Sequence, residues 1–284
     1  MSSIRYLKKK SFLIYGLGLT GLSVVKFFNR SKIKNYYVWD DIKNKLYKSK
    51  KPKNINKALK EVDYIILSPG INLRKIKNKK KLIKFKKKII TDIDLIYLFK
   101  KDFKSIVVTG TNGKSTTCKI IDHVLKKSKF KTLLGGNIGK PVLDLKIKKC
   151  NYIIIEASSF QLAYSKFIRP DHAILLNITN DHLDWHGNMR NYINSKFKIF
   201  ELQKKNQYSF INKNFQNTFI NRKLPGKLII PRMKDYNKIK NKINNDYIKS
   251  NINNENMSNV IALAKILKIK EKSLIGSLNS FKGL

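Results

Sequence analysis

The chain has 284 residues, enough for about two domains with separate cores. A hydrophobic content of 42%, with 15 Phe and 13 Tyr, excludes an intrinsically disordered chain. The 61 Lys and Arg outnumber the 18 Asp and Glu to give a formal charge of +43, yet these are mostly Lys scattered through every segment, which fits compositional drift better than a dedicated nucleic-acid surface.

At the N-terminus, Lys8-Lys9-Lys10 and the apolar stretch Ser11–Val25 have the outline of a secretory signal. Gly16, Gly18 and Gly21 interrupt that stretch and no small-residue cleavage site follows. No other run is long and uncharged enough to span a bilayer, so a cytoplasmic protein without membrane insertion is expected. Phe12–Tyr15 predicts a buried strand, followed by Gly16-Leu17-Gly18-Leu19-Thr20-Gly21 and a helix to about Arg30. Tyr36–Trp39 predicts a second strand ending at Asp40, and Val62–Leu67 a third that closes on Ser68-Pro69-Gly70. Apolar strands alternating with helical segments indicate a parallel sheet. Asp92–Lys100 predicts a helix running into a charged connector, Lys100–Lys104, which sets expected domains at 1–100 and 101–284.

The second unit opens with a strand-like run, Ser105–Thr109, leading into Gly110-Thr111-Asn112-Gly113-Lys114-Ser115-Thr116 and a helix-compatible Thr117–Lys127. Glycines let successive N–H groups point at an anion, and the following helix adds its positive end. Lys114 is placed to reach nucleotide phosphates and the Ser115 hydroxyl to ligate Mg²⁺. The generic loop pattern calls for Gly where Val108 stands, but the flanking strand and helix supply the required context. Strands are expected at Thr132–Leu134, Tyr152–Ile155 and Ala173–Asn177, and a helix across Met189–Gln203. After the short apolar runs Tyr208–Ile211 and Leu228–Ile230, Asp235–Asn254 lacks a clear period and predicts loops or a weak hairpin. Helices over Asn256–Leu267 and Lys270–Ser280 close the chain. The two cysteines, Cys118 and Cys150, lack metal-binding spacing and fit free thiols in a reducing compartment.

Three further groupings carry chemistry. Gly16-x-Gly18-x-x-Gly21 after a strand, with Asp40 ending the next, fits a dinucleotide fingerprint; it allows a bound diphosphate, NAD, or a tight turn without ligand. Glu156 at a strand's C-terminal end is placed either to ligate a nucleotide-bound Mg²⁺ or to cap the next helix, a task Ser158 or Ser159 could also perform. Asn177–His186 contains His182 and His186 at helical zinc spacing, but Gly187 and the polar surroundings favour a loop presenting His182 beside a triphosphate site.

Taken in order, Gly16-Leu-Gly-Leu-Thr-Gly-Leu-Ser23, Ser68-Pro-Gly-Ile71, Gly110-Thr-Asn-Gly-Lys-Ser-Thr116, Gly135-Gly-Asn-Ile-Gly139, Glu156-Ala-Ser-Ser-Phe-Gln-Leu162 and Asn180-Asp-His-Leu-Asp184 resemble the Mur ligase family of peptidoglycan precursor synthesis. The Ser-Ser-Phe-Gln string and the N-terminal Gly loop are most similar to the branch that adds D-glutamate. The resemblance implies an α/β protein in which an N-terminal Rossmann-like parallel-sheet domain precedes a P-loop ATPase-like central domain. It implies ATP and Mg²⁺ as cofactors, UDP-N-acetylmuramoyl-L-alanine and D-glutamate as substrates, and a monomer with no specific nucleic-acid partner. ATP phosphorylates the substrate carboxylate and the amine of D-glutamate displaces phosphate from the acyl phosphate.

By the same likeness, Gly110 to Thr116, with Asn256 and Asn259, bind ATP, and Lys114, Glu156, His182 and Lys196 are catalytic. Ser115, Glu156, His182 and a carbamylated Lys196 support metal; Lys196 follows the family's Tyr-x-x-x-Lys pattern from Tyr192. Gly18, Leu19, Thr20, Asp40, Ser68, Pro69 and Gly70 are assigned to the UDP-sugar, and Asn137, Ser158, Ser159 and Gln161 to its reacting end. Two departures stand out. Asp40-Asp41-Ile42 replaces the family's Asp-Thr-Arg, leaving Lys43 as a substitute cation, and Glu255 stands where the family's His-Asn-x-x-Asn segment begins with His. Phe281–Leu284 resembles the hinge before a third domain, so a chain truncated before that domain is expected, binding substrates while ligating poorly. The remaining alternatives are an NAD-linked Rossmann protein and a non-catalytic basic module that grips RNA.

Overall fold

The computed structural model describes residues 3–43, 46–73, 75–76, 78–99, 103–147 and 150–283. Four short strands, β1 (Phe12–Tyr15), β2 (Tyr36–Trp39), β3 (Tyr64–Leu67) and β4 (Ile89–Ile90), form a parallel sheet of order β2-β1-β3-β4. Every residue of β1 is buried, as expected for a central strand covered on both faces. β2 lies at the edge, and Tyr36 and Val38 face inward while Tyr37 is exposed. Helix Leu19–Arg30 buries Gly21, Val24, Val25 and Phe28, a stripe at helical spacing. Phe28 packs tilted against Phe12 and Phe27 stacks on Phe99, with ring centroids 4.8 and 5.0 Å apart.

The second sheet contains β5 (Lys104–Thr109), β6 (Thr132–Gly136), β7 (Tyr152–Glu156), β8 (His172–Leu175), β9 (Tyr208–Ile211) and β10 (Lys227–Ile229). Its order is β10-β9-β8-β5-β7-β6, again all parallel. Helix Lys114–Lys127 presents Thr117, Cys118, Ile120, Ile121, Val124 and Leu125 to the core. Of the connector expected over 100–104, residues 100–102 lie outside the described residues and Lys104 already begins β5; the terminal residue of the Phe281–Leu284 segment also lies outside them.

One apolar cluster runs from Phe12 and Phe28 through Val142 and Leu143 to Ile153 and Phe197, so the two sheets share a continuous core. Polar contacts reinforce the junction. Ser23 Oγ donates to Asp144 at 2.9 Å, and the buried Asp94 carboxylate accepts from Ser165 Oγ and from the Lys166 and Phe167 N–H groups. Among the described residues no helix is long and apolar enough to cross a membrane.

Asp235–Asn254 departs from expectation, forming helices Met233–Lys240 and Asp246–Lys249 in place of loops or a hairpin. Tyr236, Ile239, Ile243 and Ile248 are all buried in the core of the helix Asn254–Ile266. The first three follow an i, i+3, i+7 spacing that the surrounding Lys and Asn residues dilute below recognition. The apolar runs at 208–211 and 228–230 become edge-side strands, and β4 is too short to announce itself in the sequence.

Candidate active site

In an open parallel sheet, ligands bind beyond the carboxyl ends of strands, where neighbouring connections diverge to opposite sides. In the first sheet this point lies between β1 and β3. There Ser68 Oγ donates to the Gly16 carbonyl at 2.8 Å, closing the two strand ends over one another. A side chain on Gly18 would meet no protein atom within 4 Å; the turn is open toward a cavity of about 600 Å³. That cavity is lined by Gly18, Leu19 and Thr20, by Asp40, by the Ser68-Pro69-Gly70 turn, and across the junction by Asn137 and Gln161. Ser158 and Ser159 do not line it; Ser158 caps helix Ser159–Tyr164 in a capping box with Gln161.

Asp40 is held by backbone. Its carboxylate accepts from Leu17 N at 2.6 Å, Lys43 N at 2.7 Å and Ile42 N at 2.8 Å. Partial burial works against the charged form, but these N–H bonds together outweigh it and hold the carboxyl below its ordinary value of 3.8. Asp41, in place of the family's Thr, accepts from Tyr15 OH at 2.8 Å and Trp39 Nε1 at 2.9 Å. Lys43 Nζ reaches the Leu17 carbonyl at 3.3 Å. The buried Asn78 donates to Tyr15 OH at 3.0 Å and Asp41 at 3.2 Å. Residues 15, 41 and 78 form a network whose sequence spacing offers no warning of their contact.

The second sheet places Gly110–Gly113 at the end of β5, with helix Lys114–Lys127 starting immediately after, three residues earlier than the helix expected from Thr117. Gly113 has φ +79, and a Cβ there would come within 2.2 Å of Asn256 Oδ1. Only glycine permits both that conformation and that approach. Lys114 Nζ donates to the Gly110 and Thr111 carbonyls at 3.0 and 2.7 Å. Asn256 and Asn259 are both buried, Asn256 against the loop and Asn259 with its Nδ2 on the Glu255 carbonyl at 3.0 Å.

Glu156 ends β7 in register with Val108 of β5 and Gly136 of β6. It is buried, and it caps nothing. One oxygen accepts from Ser115 Oγ at 2.8 Å and the other from Asn137 Nδ2 at 2.8 Å. The cavity therefore ends at a residue two hydrogen bonds from the first turn of the phosphate-loop helix.

His182 stands in the left-handed region at φ 52, an uncommon place for a side-chain-bearing residue. It opens a short helical turn, Leu183–His186, where a loop was expected; the Asp184–His186 segment closes on Gly187 in a left-handed cap. His182 Nε2 lies 3.2 Å from Asp181 Oδ2, and its ring packs 4.6 Å from Phe160, in the helix that follows Glu156. His186 points away to Ser159 Oγ at 3.0 Å, and His172 stacks on Tyr208 within the sheet. Among the described residues no three His, Cys, Asp or Glu side chains cluster around an ion position.

Lys196, on helix Met189–Glu201, is 1% exposed. Its Nζ donates to the Gly110 carbonyl at 2.7 Å and lies 4.5 Å from the Tyr192 ring centre. Burial, reinforced by the nearby Lys114 charge, lowers its pKa from 10.5 to about 7. Tyr192 OH in turn lies 3.0 Å from Thr111 Oγ1, so the phosphate loop is stitched to this helix at two points. As an amine donating to a carbonyl, Lys196 offers no oxygen to a metal. Ser115 Oγ and Glu156 Oε2, by contrast, are adjacent hard oxygens of the kind Mg²⁺ accepts alongside phosphate oxygens.

The Mur ligase middle domain family matches residues 108–279, and the N-terminal domain family of MurD-like Mur ligases matches residues 10–91. The UDP-N-acetylmuramoylalanine--D-glutamate ligase of Rickettsia felis is 34% identical over 97% of this chain and 67% of its own length. The enzyme of the same name from Rickettsia conorii is 40% identical over 72% of this chain and 41% of its own length. Among solved structures, the UDP-N-acetylmuramate:L-alanyl-gamma-D-glutamyl-meso-diaminopimelate ligase from Neisseria meningitides superposes with a TM-score of 0.57 at 12% identity, covering 97% of this chain and 99% of that one. The MurF ligase from Thermotoga maritima gives 0.52 at 14% identity over 98% of this chain and 67% of that one. At such identities these two likenesses concern the fold alone.

Proposed function

Because this chain belongs to the Mur ligase family, we infer that it is an ATP-dependent amide ligase that adds D-glutamate to UDP-N-acetylmuramoyl-L-alanine in peptidoglycan precursor synthesis. The observation that carries this reading is the line of contacts from the cavity through Asn137 and Glu156 to Ser115. A sugar nucleotide with its diphosphate at the Gly16–Gly21 turn would extend its carboxylate toward Asn137. A triphosphate on Gly110–Thr116 would bring its γ-phosphorus to the same end. Residues 1–100 then serve as the sugar-nucleotide unit and 101–284 as the ATP unit.

In this reading the loop N–H groups and Lys114 bind and orient the triphosphate. A phosphate gives Lys114 charge-assisted bonds stronger than its present ones to neutral carbonyls. Ser115 and Glu156 would hold Mg²⁺, which supplies positive charge against the charge developing on the transferring phosphoryl group. Asn137 and Gln161 position the substrate's acyl end; Gln161 is itself oriented by Ser158 at one end of its amide and Asp92 at the other. Phosphoryl transfer leaves ADP and an acyl phosphate. The D-glutamate amine then forms the C–N bond as the C–O bond to phosphate breaks, and the amine's surplus proton is released. His182 and Lys196 complete the site, Lys196 after its neutral amine adds CO₂ and becomes an anionic carbamate. The pKa of about 7 supports this, because the uncharged amine is the form that reacts. Asn256 supports the loop from behind, and Asn259 is carried over as an adenine-side residue by family likeness alone. A cytoplasmic location follows from ATP as the energy source.

Calorimetric titration of the chain with UDP-N-acetylmuramoyl-L-alanine, with Mg·ATP and with NAD tests the reading. Saturable binding of the first two, undiminished by excess NAD, is expected. Binding of NAD with no response to the sugar nucleotide would overturn it.

A further inference from the structure

We propose that Glu255 is a positioning residue for the phosphate loop, acting through Asn177. Its carboxylate accepts from Asn177 Nδ2 at 3.0 Å on one oxygen and from Asn212 Nδ2 at 2.8 Å on the other. A carboxylate only accepts, so both amides must turn their NH₂ ends toward it. For Asn177 this directs the carbonyl oxygen at the phosphate loop, where it takes the Asn112 N–H at 2.9 Å and the Thr111 N–H at 3.1 Å. The opposite orientation would set an amide NH₂ against two N–H donors and a carbonyl oxygen against a carboxylate. Asn177 Nδ2 also reaches the Asn112 carbonyl at 3.3 Å, which grips that peptide from both sides.

The partner amide is fixed from its far end. Asn212 Oδ1 accepts from Asn214 N at 3.0 Å, so its NH₂ is committed to Glu255 as well. Glu255 thereby ties the carboxyl ends of β5, β8 and β9 to the first turn of helix Asn254–Ile266, where a negative charge is also favoured by the helix dipole. The next residue, Asn256, packs against Gly113. Consecutive residues of one helix therefore brace consecutive parts of the loop, Thr111–Asn112 through an amide relay and Gly113 by direct contact. With both oxygens engaged by protein amides, Glu255 shapes the loop that meets the nucleotide instead of touching the nucleotide itself.

The inference rests on reading 110–116 as a nucleotide site, but its first test does not require nucleotide. Amide hydrogen exchange is followed on the whole chain as wild type, Glu255→Ala, Glu255→Gln, Asn177→Ala and the Glu255→Ala/Asn177→Ala double variant. Losing a hydrogen bond to a charged group predicts exchange about tenfold faster at Asn112 in Glu255→Ala, with Glu255→Gln intermediate because it keeps one acceptor; the Thr111 N–H, held also by the Asn177 main-chain carbonyl at 3.0 Å, changes less. Protection in β1 serves as the control for global loosening and stays unchanged. The double variant is no faster than Asn177→Ala, because the two residues act in series. Unchanged loop exchange in Glu255→Ala, or additive effects in the double variant, overturns the proposal. In a second arm, Mg·ATP affinity falls about tenfold in Glu255→Ala and recovers to within about threefold in Glu255→Gln. An affinity loss without faster loop exchange identifies a direct nucleotide contact and also overturns it. If wild type binds no Mg·ATP, the nucleotide reading fails while the exchange arm still decides the role of Glu255.

Discussion

Lys196 Nζ donates to the Gly110 carbonyl at 2.7 Å, so a lysine with 1% exposure rests against the first residue of the phosphate loop. A buried ammonium is costly, and its pKa falls to about 7 because burial, then the Lys114 charge, disfavours protonation. Between about pH 7 and the ordinary value of 10.5 the unfolded chain holds a proton that the folded chain has released. Stability contributed by this site therefore rises with pH across that window. Denaturant midpoints of wild type and Lys196→Met, compared in a pH series, should shift in favour of wild type as pH rises from about 7 toward about 10. A pH-independent difference rules out a depressed pKa.

The same amine should capture CO₂. In ¹³C-labelled bicarbonate the protein is expected to show one carbamate carbon resonance that Lys196→Arg lacks. An identical spectrum from the variant would remove Lys196 from the proposed metal-supporting set.

Lys114 donates to two loop carbonyls, and these bonds become available to a bound phosphate. Lys114→Ala should weaken Mg·ATP binding by about 10- to 100-fold, the value of one or two charge-assisted hydrogen bonds. Affinity for UDP-N-acetylmuramoyl-L-alanine should stay within about twofold, since the cavity lining does not include Lys114. Titration calorimetry separates the two ligands; equal losses for both would mean that the substitution disturbs the fold.

Asp92 is buried at the junction of the two sheets, with Oδ1 accepting from Gln161 Nε2 at 3.4 Å and no hydrogen-bond partner for Oδ2 among the described residues. Burial raises its pKa to about 6. A raised carboxyl pKa means that stability declines as pH rises from the unfolded value of 3.8 through about 6, because the folded state must then lose a proton it holds more tightly. Asp92→Asn retains the acceptor for Gln161 and removes the buried charge. The variant should be more stable than wild type by about 2 kcal/mol near pH 8, with the gain vanishing below about pH 4. Chemical denaturation at the two pH values checks both the sign and its disappearance.

The opposite sign applies to Asp40, whose three backbone N–H bonds outweigh burial and depress its pKa. Its contribution is present above the unfolded value of 3.8 and is lost as pH falls through the lower folded value. Asp40→Asn should lower the melting temperature at neutral pH, and the two melting curves should converge in acid. Weaker binding of the sugar nucleotide is expected alongside, because Leu17 and Lys43 lose the anchor that shapes the cavity rim.

What the linear chain determined is local in origin. Gly110–Ser115 after an apolar strand announces a phosphate loop because strand, glycine turn and helix are consecutive, and Gly16–Gly21 does so for the first sheet. The resemblance to a family, carried by strings spread from residue 16 to residue 184, brought in Lys196, which no composition or period would have singled out from so many lysines. Helices such as Met233–Lys240 stayed hidden because two inward apolar residues, Tyr236 and Ile239, are outweighed by polar neighbours, and the helix closes only against the core of Asn254–Ile266. Tertiary structure alone decided that Glu156 faces Ser115 and Asn137 rather than capping a helix, that Lys196 loses water and so holds its proton less tightly, and that Glu255 meets Asn177 and Asn212. Hydrogen bonding and desolvation depend on distances between strand ends far apart in the chain, and only the crossover order β10-β9-β8-β5-β7-β6 brings those ends side by side.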